Sequence, residues 1–176
     1  MLNADQRQML TAAGSSLFGY ALALTRNRDQ AADLVQDCLV RALSGTGAPV
    51  KERAFRAWLF IIARNCWVDQ LRSLRRQRAL YDAVEGANHG TPTPLDATVT
   101  RLAVREAFFL LSSDHRDVLA LVDIGGFSYD ETAVMLGINR GTVMSRVSRA
   151  REALAGQLAD PNVVAFPGQD KGVRHG

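Results

Sequence analysis

Residues 128–154 read SYDETAVMLGINRGTVMSRVSRAREAL, and this stretch decides the fold. Ser128-Tyr129-Asp130-Glu131 is a capping box: the serine hydroxyl can cap helix amides while Glu131 reaches back. Thr132 to Leu136 continue that helix. Gly137 permits a left-handed turn, and Asn139 can cap the helix that follows. Ala133 is small where a second helix must cross closely. Gly137 follows four residues later, and Val143 six beyond that packs back on the first helix. Small, glycine and branched aliphatic at this spacing is the helix-turn-helix pattern.

The second helix is divided by its wheel. At about 100° per residue, Val147, Ala150 and Leu154 fall within roughly 40° of Val143 and form one apolar stripe. Ser145, Ser148 and Arg149 lie opposite, with Thr142 at the edge. The wheel alone also fits a solvated surface helix. The preceding turn and cap favour DNA binding. Arg149 can make a bidentate contact to a guanine, and the short Ser145 and Ser148 let the helix sit close to base edges. Arg140, Thr142 and Arg146 are better placed for phosphates, which fix register without reading sequence.

Working outward, charge is ordered along the chain. Lys51–Arg78 holds eight basic residues against Glu52 and Asp69. Tyr81–Gly137 holds nine acidic residues against three arginines, and Ile138–Arg151 carries four arginines and no acid. Two basic segments separated by an acidic one predict two separate contacts with a polyanion. No run reaches the ~18 apolar residues of a membrane span, and MLNADQRQML is not a secretory signal. A cytoplasmic location and no membrane insertion are expected. Cys38 and Cys66 are the two cysteines of the 176 residues. Both fall on apolar stripes and read as buried structural thiols. Neither a zinc spacing nor a catalytic constellation is present. No cofactor, no metal and no enzymatic activity are expected.

The period throughout is helical. Helices are expected over Ala4–Leu24, Gln30–Leu43, Ala54 to about Arg78, Ala97 to about Leu111 and Ser113–Ile124, ahead of the helix-turn-helix. The predicted fold is all-α, with two small helical domains joined by a flexible linker. The expected bounds are 1–78, a linker over 79–97 rich in Gly and Thr-Pro steps, 98–156, and a flexible tail over 157–176.

The blocks DLVQDCLVRAL (33–43) and FRAWLFIIARNCWVDQLRSLRRQR (55–78) resemble domain 2 of the extracytoplasmic-function sigma factors of bacterial RNA polymerase. LSSDHRDVLALVDIGGFSYDETAVMLGINRGTVMSRVSRAREAL (111–154) resembles domain 4. FSYDETA and SRVSRARE are similar to the alphaproteobacterial general-stress branch of that family. The resemblance implies a factor that binds core polymerase and directs it to promoters through their −35 and −10 elements. It also implies that the factor promotes melting, here for a stress regulon. Asp33, Gln36 and Asp37 would dock on the clamp of the beta-prime subunit, and domain 4 on the beta flap. The loop over Ser44–Arg53 would capture a flipped base. Asn65 would lie near the upstream edge of the −10 element, with Arg64, Arg72, Arg75 and Arg76 on the nucleic acid there. Arg140, Thr142, Ser145, Arg146, Ser148 and Arg149 would face the −35 element. Met144 departs from the family, where Lys or Arg is common. A lost cation there would weaken phosphate contact, or the methionine would pack on a thymine methyl. An anti-sigma factor is the expected regulatory partner. An ordinary helix-turn-helix regulator shares the C-terminal pattern, but the FRAWLFIIARN block argues against a sensory N-terminal domain.

Overall fold

A computed structural model describes residues 2–81 and 99–159. These residues form seven α-helices: α1 Ala4–Thr25, α2 Arg28–Ser44, α3 Glu52–Tyr81, α4 Val99–Leu110, α5 Ser113–Leu119, α6 Tyr129–Leu136 and α7 Arg140–Leu158. No strand occurs among the described residues. Most of the expected linker and the tail beyond Ala159 lie outside them.

Local signals set the helix ends. Asn3 and Gln6 form a capping box at α1, a signal the sequence reading passed over. Asn27 caps α2 by accepting from the amides of Asp29 and Gln30. Between them Arg26 takes a left-handed conformation with φ 62°, which reverses the chain at the TRNRD turn. The Gln6 side-chain amide donates to the carbonyls of Ala48 and Pro49 at 3.0 and 3.2 Å. That pins the loop between α2 and α3 onto α1.

The first three helices pack as a unit. Ala31, Leu34, Cys38 and Ala42 of α2 are buried, and Val35 and Leu39 are half-buried, as the stripe predicts. On α3, Phe55, Leu59 and Cys66 are buried while Trp58 and Ile62 are half-buried. Helix α3 also buries a second face. Phe60 and Ala63 are fully buried, and Phe60 stacks edge-on against Phe127 from beyond α5, with centroids 4.9 Å apart. Tyr20 of α1 tilts onto the same ring at 5.1 Å.

One core therefore spans the N-terminal and C-terminal helices. It joins Leu17, Tyr20, Leu34 and Phe60 with Ala120, Leu121, Phe127 and Met135. A second core under the helix-turn-helix joins Val118, Leu119, Ala133, Val143, Val147 and Ala150. Each large side chain buried this fully contributes about 1.5–3 kcal/mol of apolar transfer.

The stretch expected as one helix over Ser113–Ile124 is two. After Leu119 the chain widens into a π-helical turn over Ala120–Ile124, closed by the Gly125 amide on the Ala120 carbonyl at 2.8 Å. A side chain at Gly125 would sit 2.5 Å from the Leu121 carbonyl and 2.8 Å from the Phe127 ring. Glycine is required there for close approach, which lets Phe127 fold back onto Phe60.

Candidate nucleic-acid interface

The helix-turn-helix forms as its signals predict. The Ser128 hydroxyl caps α6 by accepting from the Glu131 amide, and Glu131 Oε2 accepts from the Ser128 amide at 2.9 Å. Gly137 ends α6 in the left-handed region at φ 66°, ψ 33°. Asn139 Oδ1 accepts from the Thr142 amide at 2.8 Å and caps α7. Val143, Val147 and Ala150 are buried and Leu154 half-buried, so the stripe packs and the opposite face points out. Ser145, Ser148 and Arg149 are exposed there.

The outward groups differ in how far they are engaged. Arg140 pairs with Asp130 at 3.2 Å, and Arg146 with Asp114 at 2.8 Å. Arg151, which the sequence left as a solvated charge or salt bridge, pairs with Asp123 at 2.7 Å. The Thr142 hydroxyl donates to Asn139 Oδ1, the Ser145 hydroxyl to the Thr142 carbonyl, and the Ser148 hydroxyl to Glu152. Arg149 is the arginine of α7 with no ion pair among the described residues. These bonds fix side chains on the outward face of α7. The Arg140–Asp130 and Arg151–Asp123 pairs are about half exposed or more, so each is weak and exchangeable, while the Arg146 side chain is 31% exposed.

The second candidate set lies on α3. Asn65, Arg72 and Arg76 are exposed, whereas the side chain of Arg75 lies outside the described part. Arg72 stands 3.8 Å from Asp69. Arg64 is not free: its Nε donates to Asp117 Oδ2 at 2.9 Å, and only 28% of its side chain is exposed. Asp117 Oδ1 also accepts from the Tyr20 hydroxyl at 2.8 Å. Burial, then the neighbouring carboxylate, pushes the Tyr20 phenol well above its ordinary pKa. Two further contacts join the same helices. Arg53 donates to both oxygens of Glu131, at 2.5 and 2.9 Å. Arg56 donates to the Gly125 carbonyl and lies over the Phe60 and Phe127 rings, 5.9 and 5.3 Å from their centroids. Sequence reasoning missed Asp117 and Glu131 as partners of Arg64 and Arg53, and Tyr20 as the second donor to Asp117. Asp117 stands 53 residues from Arg64, Glu131 stands 78 from Arg53, and Tyr20 joins through Asp117, 97 residues away; no periodic signal marks any of them.

On α2, Asp33, Gln36 and Asp37 are exposed on the face opposite its buried stripe, and Asp37 accepts from Gln70 at 3.1 Å. Val40 and Leu43 extend that exposed strip. The loop after α2 exposes Val50, and Gly47 in it has φ 81°.

Comparison with known proteins settles the family. Residues 9–77 match the model of sigma-70 region 2, and residues 101–154 match sigma-70 region 4. The chain is 37% identical to the ECF RNA polymerase sigma factor EcfG of Rhodopseudomonas palustris, over 86% of this chain and 84% of that one. The chain is an ECF sigma factor of the sigma-70 family. It is 36% identical to the factor SigL of Mycobacterium tuberculosis, over 78% of this chain and 80% of that one. Its structure resembles that of the sigma factor RpoE from Bartonella quintana, solved in complex with the anti-sigma factor NepR. The TM-score is 0.72 at 32% identity, covering 90% of this chain and 99% of that one.

As a sigma factor the protein binds core RNA polymerase, directs it to promoters through their −35 and −10 elements, and promotes melting. Region 2 corresponds to α1–α3 and region 4 to α4–α7. The two cysteines are buried free thiols, and burial pushes the Cys38 pKa up to about 12. Among the described residues no helix is long and apolar enough to cross a membrane.

Proposed function

We propose that α7 reads the −35 element in the major groove, with Arg149 on a guanine, Ser145 and Ser148 at base edges, and Arg140, Thr142 and Arg146 on phosphates. The observation that carries this is the outward Arg149, without an ion pair among the described residues, on a helix whose other face packs through Val143, Val147 and Ala150. Asn65, Arg64, Arg72, Arg75 and Arg76 hold the −10 strand in this reading. Asp33, Gln36 and Asp37 form the clamp-binding face, and domain 4 meets the flap. The domains run over 1–78 and 98–156, joined by the 79–97 linker and followed by a tail over 157–176. The protein acts in the cytoplasm by binding alone, without enzymatic chemistry, and serves a stress regulon.

Engaging the −10 strand through Arg64 exchanges the Asp117 carboxylate for a phosphate. Glu131 and Asp117 both come from region 4 and both sit on region 2 arginines. The described arrangement thus suits the resting protein, and core polymerase selects a form in which the two regions part. Once separated on the polymerase, the regions bind bivalently, and effective concentration raises affinity without new contacts.

The solved relative was captured with an anti-sigma factor, and a partner of that kind is the expected regulator here. An apolar cleft of about 450 Å³ between the regions, lined in part by Leu22, Val104, Phe108 and Ile124, gives such a partner a seat. The test of the base-reading assignment is Arg149→Ala in holoenzyme, measured on a duplex series with each −35 base pair changed in turn. A loss of about 1–3 kcal/mol confined to one base pair is expected. Equal binding by both proteins at every position would refute it.

A further inference from the structure

We propose that Met144 is a specificity-determining residue that reads the 5-methyl group of one thymine in the −35 element. The inference rests on α7 facing that element and adds a reader to it. Met144 is 45% exposed and is the large apolar side chain that α7 leaves outside its packed stripe. A single exposed hydrophobe says little by itself. Its surroundings say more.

Met144 sits in the second turn of α7, within the N-terminal half of the helix that approaches base edges in this motif. Its neighbours on the outward face are Gly141, Ser145 and Ser148, all small and exposed. At about 100° per residue, Met144 and Arg149 stand roughly 140° apart around the axis, with these three between them. As far as Arg149 the face is therefore a low floor with one long side chain at each edge; Glu152, in the next turn, stands at about 80° and is held by Ser148. The floor lets the helix approach closely, and the edges reach furthest toward neighbouring base pairs.

The floor is also chemically occupied. The Ser145 hydroxyl donates to the Thr142 carbonyl at 3.0 Å, and the Ser148 hydroxyl donates to Glu152 at 3.2 Å. Each serine keeps lone pairs for accepting, but its donor is spent within the helix. That leaves two unengaged long groups of opposite kind, a guanidinium and a thioether. The major groove presents one apolar feature, the thymine 5-methyl, which separates thymine from cytosine without a hydrogen bond. An unbranched, polarisable thioether adapts its rotamer to such a methyl. A phosphate gives it nothing.

The experiment uses holoenzyme assembled from the full chain and core polymerase, on promoter duplexes. Each thymine protected in the −35 region is replaced in turn by deoxyuridine, which removes the methyl and leaves pairing intact. Wild type should lose about fourfold in affinity at one position, the value of one buried methyl. Met144→Ala should bind the thymine duplex about fourfold more weakly and ignore the deoxyuridine change, while Met144→Leu retains the discrimination. Protection at −35 with no deoxyuridine effect in wild type overturns the Met144 assignment alone. So does an unchanged effect in Met144→Ala. Absence of −35 protection overturns the α7 reading itself.

Discussion

Arg64 on α3 donates through Nε to Asp117 on α5 at 2.9 Å, so a cation assigned to the −10 strand is held by region 4. Asp117 is also bonded by Tyr20, and its side chain is only 16% exposed. Asp117→Asn keeps the shape and removes the charge. It should destabilise the isolated protein by about 1–3 kcal/mol, because Arg64 is left half-buried without its counter-ion. It should also raise the affinity of the isolated protein for a single-stranded −10 oligonucleotide. Thermal melting and fluorescence anisotropy check the two effects; lower oligonucleotide affinity in the variant would argue that Asp117 does not compete with DNA.

Acid should loosen the second contact between the regions. The Arg53 guanidinium, foremost among its partners, lowers the Glu131 pKa from about 4.5 to about 2. A carboxylate lowered in the folded state contributes stability above its unfolded pKa and loses it as pH falls through the folded value. The stability difference between wild type and Arg53→Met should be constant above about pH 5 and shrink between about 4.5 and 2. Melting curves across that range test the sign. A difference that grows on acidification would show that Arg53 acts on some other group.

The exposed acids of α2 should matter to polymerase and not to the fold. Asp33→Lys with Asp37→Lys reverses two exposed charges, and the one bond lost is the exposed Gln70–Asp37 contact. Core-polymerase affinity should fall at least about tenfold, more so at low salt, while the melting temperature stays within a few degrees. Equal affinity would move the docking face elsewhere.

Both thiols should be silent in the native protein. Cys38 is fully buried, donates to the Leu59 carbonyl at 3.4 Å, and has its pKa pushed up to about 12. Burial also raises that of Cys66. Since the thiolate is the reactive form, alkylation should require global opening and should speed up in step with denaturant-induced unfolding. Rapid modification at pH 8 without unfolding would contradict the packing described.

The helix-turn-helix was legible in the sequence because its determinants are local. Ser128 with Glu131, Gly137 and Asn139 each act within four residues, and each occupies the predicted role. The stripes of α2 and α7 were legible because burial on one side leaves a periodic trace. The second face of α3 was not. Phe60 sits in the run LFII, where apolar residues point all round and a wheel cannot choose. The π-helical turn was not legible for a related reason: Ala120 to Ile124 keep a helical pattern, and nothing local in it separates an α turn from a π turn. The carboxylate partners of Arg53 and Arg64 are tertiary pairings, 78 and 53 residues away. In the sequence they register only as charge balance, which does show an acidic segment between two basic ones.

The most direct measurement of the central claim is promoter-specific initiation. Core polymerase from the bacterium that carries this chain, supplied with the purified protein and a duplex bearing the −35 and −10 elements it protects, should start transcripts at one position. Arg149→Ala should reduce that signal in line with its loss at −35. Transcription no different from core polymerase alone would contradict the account.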